Sequence, residues 1–159
     1  MKKSWKIDPE KCTGCRTCEV VCSIQHHGEL NINKSRLKVV KWEEQGLDVP
    51  VVCQHCDTPV CQQNCPTGAL QRDEETGGIV YRQETCIGCK LCLLVCPLGG
   101  INLDSDGNLL KCDLCGGDPQ CVKFCIPAAI EYLPAEQVGE RQRKKAAAAF
   151  LKDASADRK

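Results

Sequence analysis

The sequence predicts an α+β fold with few regular elements, made of short β-hairpins and short helices and held together by metal more than by hydrocarbon. Three observations predict it. Sixteen of the 159 residues are cysteine, about 10%, the range in which cysteines set the architecture. They fall into four groups of four with none left over. Between groups the same segments recur: a short strand, a polar Gly/Asp turn, a second short strand, then a new cysteine group.

The first group is Cys12, Cys15, Cys18 and Cys22 in CTGCRTCEVVC; the second is Cys53, Cys56, Cys61 and Cys65 in CQHCDTPVCQQNC. The third is Cys86, Cys89, Cys92 and Cys96 in CIGCKLCLLVC; the fourth is Cys112, Cys115, Cys121 and Cys125 in CDLCGGDPQCVKFC. The first and third share the spacing C-x2-C-x2-C-x3-C, and the other two loosen only the middle gap. A strand-like WKI precedes the first group, and the spacer Glu19–Val21 fits one helical turn. After the second group, Ala69–Arg72 should pair with Ile79–Arg82. After the third, Ile101–Leu103 should pair with Leu109–Lys111. AIEYL follows the fourth group as another strand. Residues 23–50 interrupt the repeat without a cysteine; Leu37–Trp42 reads as a strand and the remainder as loop. Pro134 suits a helix start, and residues 135–159 contain good helix formers with poor apolar periodicity. They form either a docking arm or a solvated tail.

Several function classes drop out. MKKSWKIDPEKC has no apolar stretch of the secretory kind and no twin-arginine pair. The most apolar window, LCLLVCPLGGI over 91–101, is too short to span a bilayer. The expectation is a cytoplasmic chain without membrane insertion, whose thiols stay reduced and bind metal. Basic and acidic residues number 21 each. Residues 135–159 hold 7 basic and 4 acidic residues, leaving 14 and 17 over 1–134. No basic patch interleaved with aromatics suggests nucleic acid. No Gly-rich phosphate loop or catalytic constellation is visible, so the chain reads as a carrier and not an enzyme.

The spacings point to [4Fe–4S] centres. A C-x2-C-x2-C run wraps one side of a cube and supplies three thiolates, and the fourth must come from elsewhere in the chain. In two-cluster ferredoxins the fourth cysteine of one run serves the other cluster. Gly14 and Gly88 permit tight dihedrals that bring N–H groups near sulfur. Pro66 and Pro97 follow their fourth cysteines, Pro127 is displaced by one residue, and Ser23 stands in the first group. The competing interpretation is a zinc-stabilised scaffold without redox role. Structural zinc usually pairs two separated C-x2–4-C knuckles, which the C-x3-C-P endings do not resemble. His26, His27 and His55 have no third partner in a recognisable array; the first two sit in the polar insert, and His55 lies beside ligands or exposed. Four oxidised cubes with thiolate ligands carry roughly −8 in total. Lys11, Arg16, Lys90, Lys111 and Lys123 partly offset this, each as an ordinary surface charge. Sequence alone leaves the pairing of the groups open, first with second or first with fourth.

The segment CQHCDTPVCQQNCPTGAL…GGIVYRQETCIGCKLCLLVCPLGGI…KCDLCGGDPQCVKFC resembles the four-cluster polyferredoxin subunits of molybdenum- and tungsten-pterin oxidoreductases. The likeness covers roughly residues 5–133. The compact length and basic tail look most like the small iron–sulfur subunit beside a tungsten aldehyde oxidoreductase, with the benzoyl-CoA reductase subunit next. The resemblance implies tandem dicluster ferredoxin folds over 1–134. One sub-module joins 1–30 with 104–134, the other spans 51–103, and a C-terminal helical or flexible extension covers 135–159. It implies four clusters. One takes Cys12, Cys15, Cys18 and Cys125; its neighbour takes Cys112, Cys115, Cys121 and Cys22. A third takes Cys53, Cys56, Cys61 and Cys96; the fourth takes Cys86, Cys89, Cys92 and Cys65. It implies a catalytic pterin subunit as one partner. A flavoprotein, a ferredoxin or a second copy of the chain would be the other.

Overall fold

The computed structural model describes residues 3–156, with side chains to residue 148. The chain opens with β1 (Lys3–Ile7), enters α1 (Thr17–His27) and passes through β2 (Lys38–Trp42) and β3 (Leu47–Val51). Then come α2 (Val60–Gln63), β4 (Leu70–Arg72), β5 (Ile79–Tyr81), α3 (Leu91–Val95), β6 (Ile101–Leu103) and β7 (Leu109–Lys111). The chain continues through α4 (Gln120–Lys123) and β8 (Ile130–Pro134) into α5 (Ala135–Ala156). Every sheet among the described residues is a two-stranded antiparallel ribbon: β1–β8, β2–β3, β4–β5 and β6–β7. This is an α+β chain of short elements.

The two repeated hairpins form where the polar turns place them. Leu70 pairs with Tyr81 and Arg72 with Ile79. Asp73 caps the intervening turn by accepting from both the Thr76 N–H and hydroxyl. Ile101 pairs with Lys111 and Leu103 with Leu109. This second hairpin straddles 103/104, the boundary that the resemblance implies between two sub-modules. The first and last strands close the chain on itself. Trp5 lies opposite Tyr132 in the β1–β8 ribbon, with ring centroids 4.9 Å apart.

The segment after the first cysteine group differs from the expectation in two ways. The expected single turn at Glu19–Val21 is an eleven-residue helix. The other groups carry proline within two residues of their last cysteine, whereas here Ser23 lets the helix run on. It stops at Gly28, whose φ of 69° turns the chain and whose N–H reaches Ile24 O at 2.9 Å. Ser23 is fully buried; its Oγ accepts from Asn31 N and donates to the Val20 or Glu29 carbonyl, each 2.9 Å away. The stretch expected as loop also contains β3. Pro50 belongs to this strand, facing Val39. Proline is restricted to edge strands, and in a two-stranded ribbon both strands are edges.

The core is thin and partly made of sulfur. Trp5, Leu37, Val39, Val52, Leu114 and Ile130 pack with Cys18, Cys22 and Cys121. Helix α1 lies on α4, and α2 lies on α3. Helix α5 rests its first turns on β1 and β8: Val138 is buried, Arg141 pairs with Glu131 at 2.6 Å, and Lys145 lies 3.3 Å from Glu10. The arm is therefore helical and docked at its base. Its last residues, 157–159, lie outside the described residues. No described helix is long and apolar enough to cross a membrane.

Glu19 ties α1 to the β2–β3 ribbon. It is 2% exposed, and its Oε1 accepts the Val39 N–H at 2.7 Å. Glu19→Ala leaves that buried donor unpaired, a loss of about 1–3 kcal/mol. A lowered thermal midpoint in anaerobic protein should show it. Glu19→Gln, which keeps an acceptor, should fall between the two.

Candidate metal centres

The cysteines converge in four quartets, each drawing three thiols from one group and one from another. Cys12, Cys15, Cys18 and Cys125 (quartet I) line a cavity walled by Val39, Pro50, Phe124 and Ile130. Cys22, Cys112, Cys115 and Cys121 (quartet II) lie close enough that the charges of the first three all bear on Cys121. Cys53, Cys56, Cys61 and Cys96 (quartet III) line a second cavity. Cys65, Cys86, Cys89 and Cys92 (quartet IV) line a third. The first group thus meets the fourth, through α1 and α4, and the second meets the third, through α2 and α3. Neighbouring quartets also feel one another: Cys18 bears on Cys121, Cys53 on Cys112, and Cys61 on Cys92. The order is I, II, III, IV.

One backbone conformation aims the thiols in every group. The residue two places after the first cysteine is left-handed each time: Gly14 (φ 61°), His55 (48°), Gly88 (71°) and Leu114 (62°). The turn presents an N–H to the preceding thiol. His55 N lies 3.5 Å from Cys53 Sγ, Gly88 N 3.4 Å from Cys86 Sγ, and Leu114 N 3.5 Å from Cys112 Sγ. A second left-handed turn follows the last cysteine of three groups, at Gly68, Gly99 and Ala128. There Gly100 N reaches Cys96 Sγ at 3.4 Å, and Ala129 N reaches Cys125 Sγ at 3.2 Å. In the first group, where α1 runs on, Arg36 N reaches Cys22 Sγ at 3.4 Å instead.

The electrostatics disfavour bare thiolates at the buried sulfurs. Burial, with the Glu19 carboxylate, pushes the Cys18 thiol up to about 12. Burial pushes Cys112 up to about 12 against the pull of the Leu114 N–H. Burial raises Cys121 further, aided by the charges of Cys112, Cys22, Cys115 and Cys18. Four thiolates cannot gather in such a place unless positive charge replaces their protons. An all-sulfur donor set with backbone N–H groups aimed at sulfur fits an iron–sulfur cluster.

Comparison with known proteins agrees. The 4Fe-4S dicluster domain model matches residues 44–134, and the 4Fe-4S binding domain model matches residues 5–23. The chain belongs to the 4Fe-4S dicluster domain family. It is 42% identical over 128 residues to the polyferredoxin-like subunit of an aliphatic sulfonate oxidoreductase from Pyrococcus furiosus, covering 80% of this chain and 73% of that protein. It is 30% identical over 165 residues to an anaerobic dimethyl sulfoxide reductase subunit of Haemophilus influenzae, covering 91% of this chain and 80% of that subunit. Among solved structures it is similar to the active site complex BamBC of benzoyl coenzyme A reductase with 1,5-dienoyl-CoA. That match has 27% identity, a TM-score of 0.50, and covers 98% of this chain and 95% of that one. The chain is an iron–sulfur electron-transfer polyferredoxin.

Two polar side chains of this dicluster chain, His26 and Lys111, sit closer to sulfur than their sequence context suggests, and a third, His55, is buried. His26 and His27 lie in α1, not in the polar insert. Cys18, Cys22 and His26 recur every four residues along one helix face, and His26 Nε2 stands 3.6 Å from Cys115 Sγ. Asp113 Oδ1 lies 3.5 Å from the same nitrogen, and Asp113 is itself paired with Arg36 at 2.6 Å. The helix continuation past Cys22, signalled by the missing proline and the Gly28 stop, is the available clue. His55 is buried, and burial with the nearby Lys111 charge pushes its pKa down to about 3. Its neutral Nδ1 accepts the Ile79 N–H at 2.8 Å. Lys111 is not a surface charge: it is 2% exposed, with Nζ 2.9 Å from Cys53 Sγ. Nothing in the local sequence marks it, because its partners come from 58 and 32 residues away.

Gly99 and Gly100 separate conformation from space. Gly99 has φ 59°, and a Cβ added there would meet only Val51 Cγ1, at 4.0 Å; Ala128 already occupies the equivalent place in the fourth group. Gly99→Ala should cost about 1–2 kcal/mol and leave iron content unchanged. At Gly100 a Cβ would sit 2.7 Å from Cys53 Cα. Gly100→Ala should cost about 1–3 kcal/mol or more and lower the iron bound per chain. Iron analysis and thermal melts of the two variants check this.

Proposed function

We propose that the chain carries four [4Fe–4S] clusters, one per quartet. It would relay single electrons between a catalytic subunit and a second redox partner, with no active site of its own. In this reading each quartet is a complete ligand set. Cys125 and Cys22 are exchanged between the first and fourth groups, and Cys96 and Cys65 between the second and third. The two halves are the sub-module of 1–30 with 104–134 and the sub-module of 51–103. A cluster contributes a one-electron centre that changes charge with little ligand movement. The protein contributes spacing, insulation from water and the field at each centre.

The observation that carries the reading is the row of quartets, each with four thiols and each next to its successor. Its ends support two partners. Beside quartet I, Phe124 and Ile126 are 52% and 96% exposed. Beside quartet IV, Ile87 and Leu94 are 67% and 76% exposed. Exposed apolar side chains flanking a redox centre suit transient docking that excludes water. The sulfonate oxidoreductase and benzoyl coenzyme A reductase likenesses support a catalytic subunit at one end, in our reading a tungsten- or molybdenum-pterin protein. The other end would meet a flavoprotein, a ferredoxin or a second copy. Sixteen free thiols suit a reducing, cytoplasmic setting.

Anaerobically purified protein should be brown and contain about four irons and four acid-labile sulfides per quartet. Cys125→Ser should remove or alter the cluster of quartet I and leave the other three countable by electron paramagnetic resonance. Colourless protein holding zinc and no sulfide would overturn the reading.

A further inference from the structure

We infer that Lys111 is a positioning residue for electron transfer: its buried ammonium bridges quartets II and III and raises the potential of both central clusters. The inference rests on the four-cluster reading above and deepens it. Lys111 ends β7, immediately before Cys112, and reaches back across the junction between the two halves. Its Nζ has three partners: Cys53 Sγ at 2.9 Å, Ile79 O at 2.7 Å and Cys112 O at 3.2 Å. Three acceptors match the three N–H donors of an ammonium, which has no lone pair to offer; a neutral amine would leave one acceptor facing a lone pair.

A buried ammonium costs several kcal/mol unless an anion faces it. No carboxylate is among the hydrogen-bond partners of Lys111. The one partner atom able to carry negative charge is the sulfur of Cys53. The field extends further than that contact. It favours the thiolate of Cys61 in quartet III and that of Cys112 in quartet II, while Cys53 and Cys112 repel each other. Lys111 therefore stands between a ligand sulfur of quartet III and the backbone of a ligand of quartet II. Each electron added to either centre raises their mutual repulsion, and a cation between them lowers that cost for both. The hydrogen bond to Cys53 adds to this on quartet III by drawing electron density from a ligand sulfur.

The test is a redox titration of the full chain, followed by electron paramagnetic resonance, after metal analysis has counted the clusters. In Lys111→Met, two of the four potentials should fall by a tenfold or greater shift in the reduction equilibrium, about 59 mV per one-electron couple. The other two should hold. Lys111→Arg, which keeps the charge, should restore most of the shift, and Lys144→Gln on exposed α5 should move nothing. Four unmoved potentials, a uniform shift of all four, or an arginine variant as low as the methionine variant would overturn the inference. If Lys111→Met does not load, wild-type protein labelled with 15N at lysine Nζ decides: a hyperfine coupling from a lysine nitrogen to a reduced cluster supports the contact, and its absence overturns it. A count of fewer than four clusters in the wild type would instead remove the reading beneath it.

Discussion

Three thiols of each cysteine run must face one point, and an ordinary right-handed or extended backbone cannot aim them there. The left-handed residue two places after each first cysteine is the solution common to all four groups. Glycine takes it freely at Gly14 and Gly88. His55 and Leu114 take it at a cost of about 1–2 kcal/mol each. Such strain persists only where something over-determines it. Here the same turn that costs energy delivers N–H groups to sulfur, so the strain is offset when the thiols become thiolates around a bound centre. The local backbone, the buried and unwillingly ionised thiols, and the thin hydrocarbon core are all consequences of one demand.

In the proposed four-cluster reading, the exchange of fourth cysteines would turn four local loops into a single object. A hydrophobic core this small cannot by itself offset the entropy of ordering the chain. A centre shared by Cys12 and Cys125 would close nearly the whole chain, and the β1–β8 ribbon closes it at almost the same place. The two constraints support each other. With the termini held, α1 is pressed on α4, and Cys18, Cys22 and Cys121 enter the core as packing atoms. Sulfur here fills the place that leucine fills elsewhere.

Periodic features are legible in the sequence and long-range ones are not. The hairpins of residues 70–81 and 101–111 follow from short strands with apolar residues flanking Asp/Gly turns, and they pair as the pattern requires. Gly14 and Gly88 announce left-handed turns because only their identity matters. His55 and Leu114 adopt the same turn without any local sign; their conformation is imposed by the cysteines around them. For α1 the repeat suggests a single turn, whereas the absent proline and Gly28 together allow eleven residues. Strand β3 is masked by Pro50, which is disqualifying in a wide sheet and harmless in a ribbon. Cysteine spacing reveals which residues share a loop. Which loops share a centre depends on how helices pack, and the sequence alone leaves both pairings open.

Charge shows the same division between local and distant causes. Of the cations that sequence places near the runs, Lys123 is spent on Asp118 at the surface, and Arg16 stands 3.6 Å from Glu19. The exposed Lys123–Asp118 pair is screened over roughly 8–10 Å at ordinary salt and contributes little field, and Arg16 faces a buried carboxylate that offsets its charge. A buried charge is screened far less. The cation that matters to sulfur is therefore the one water does not reach and no carboxylate neutralises, and that is a property of position in the fold. In a row of anionic centres the greatest mutual repulsion lies in the middle, where each centre has a neighbour on both sides. Lys111 lies between Cys53 Sγ and the Cys112 carbonyl, which belong to different cysteine groups. In the proposed row, the contact that ties the second cysteine group to the fourth would thus also be the one that sets the field along it.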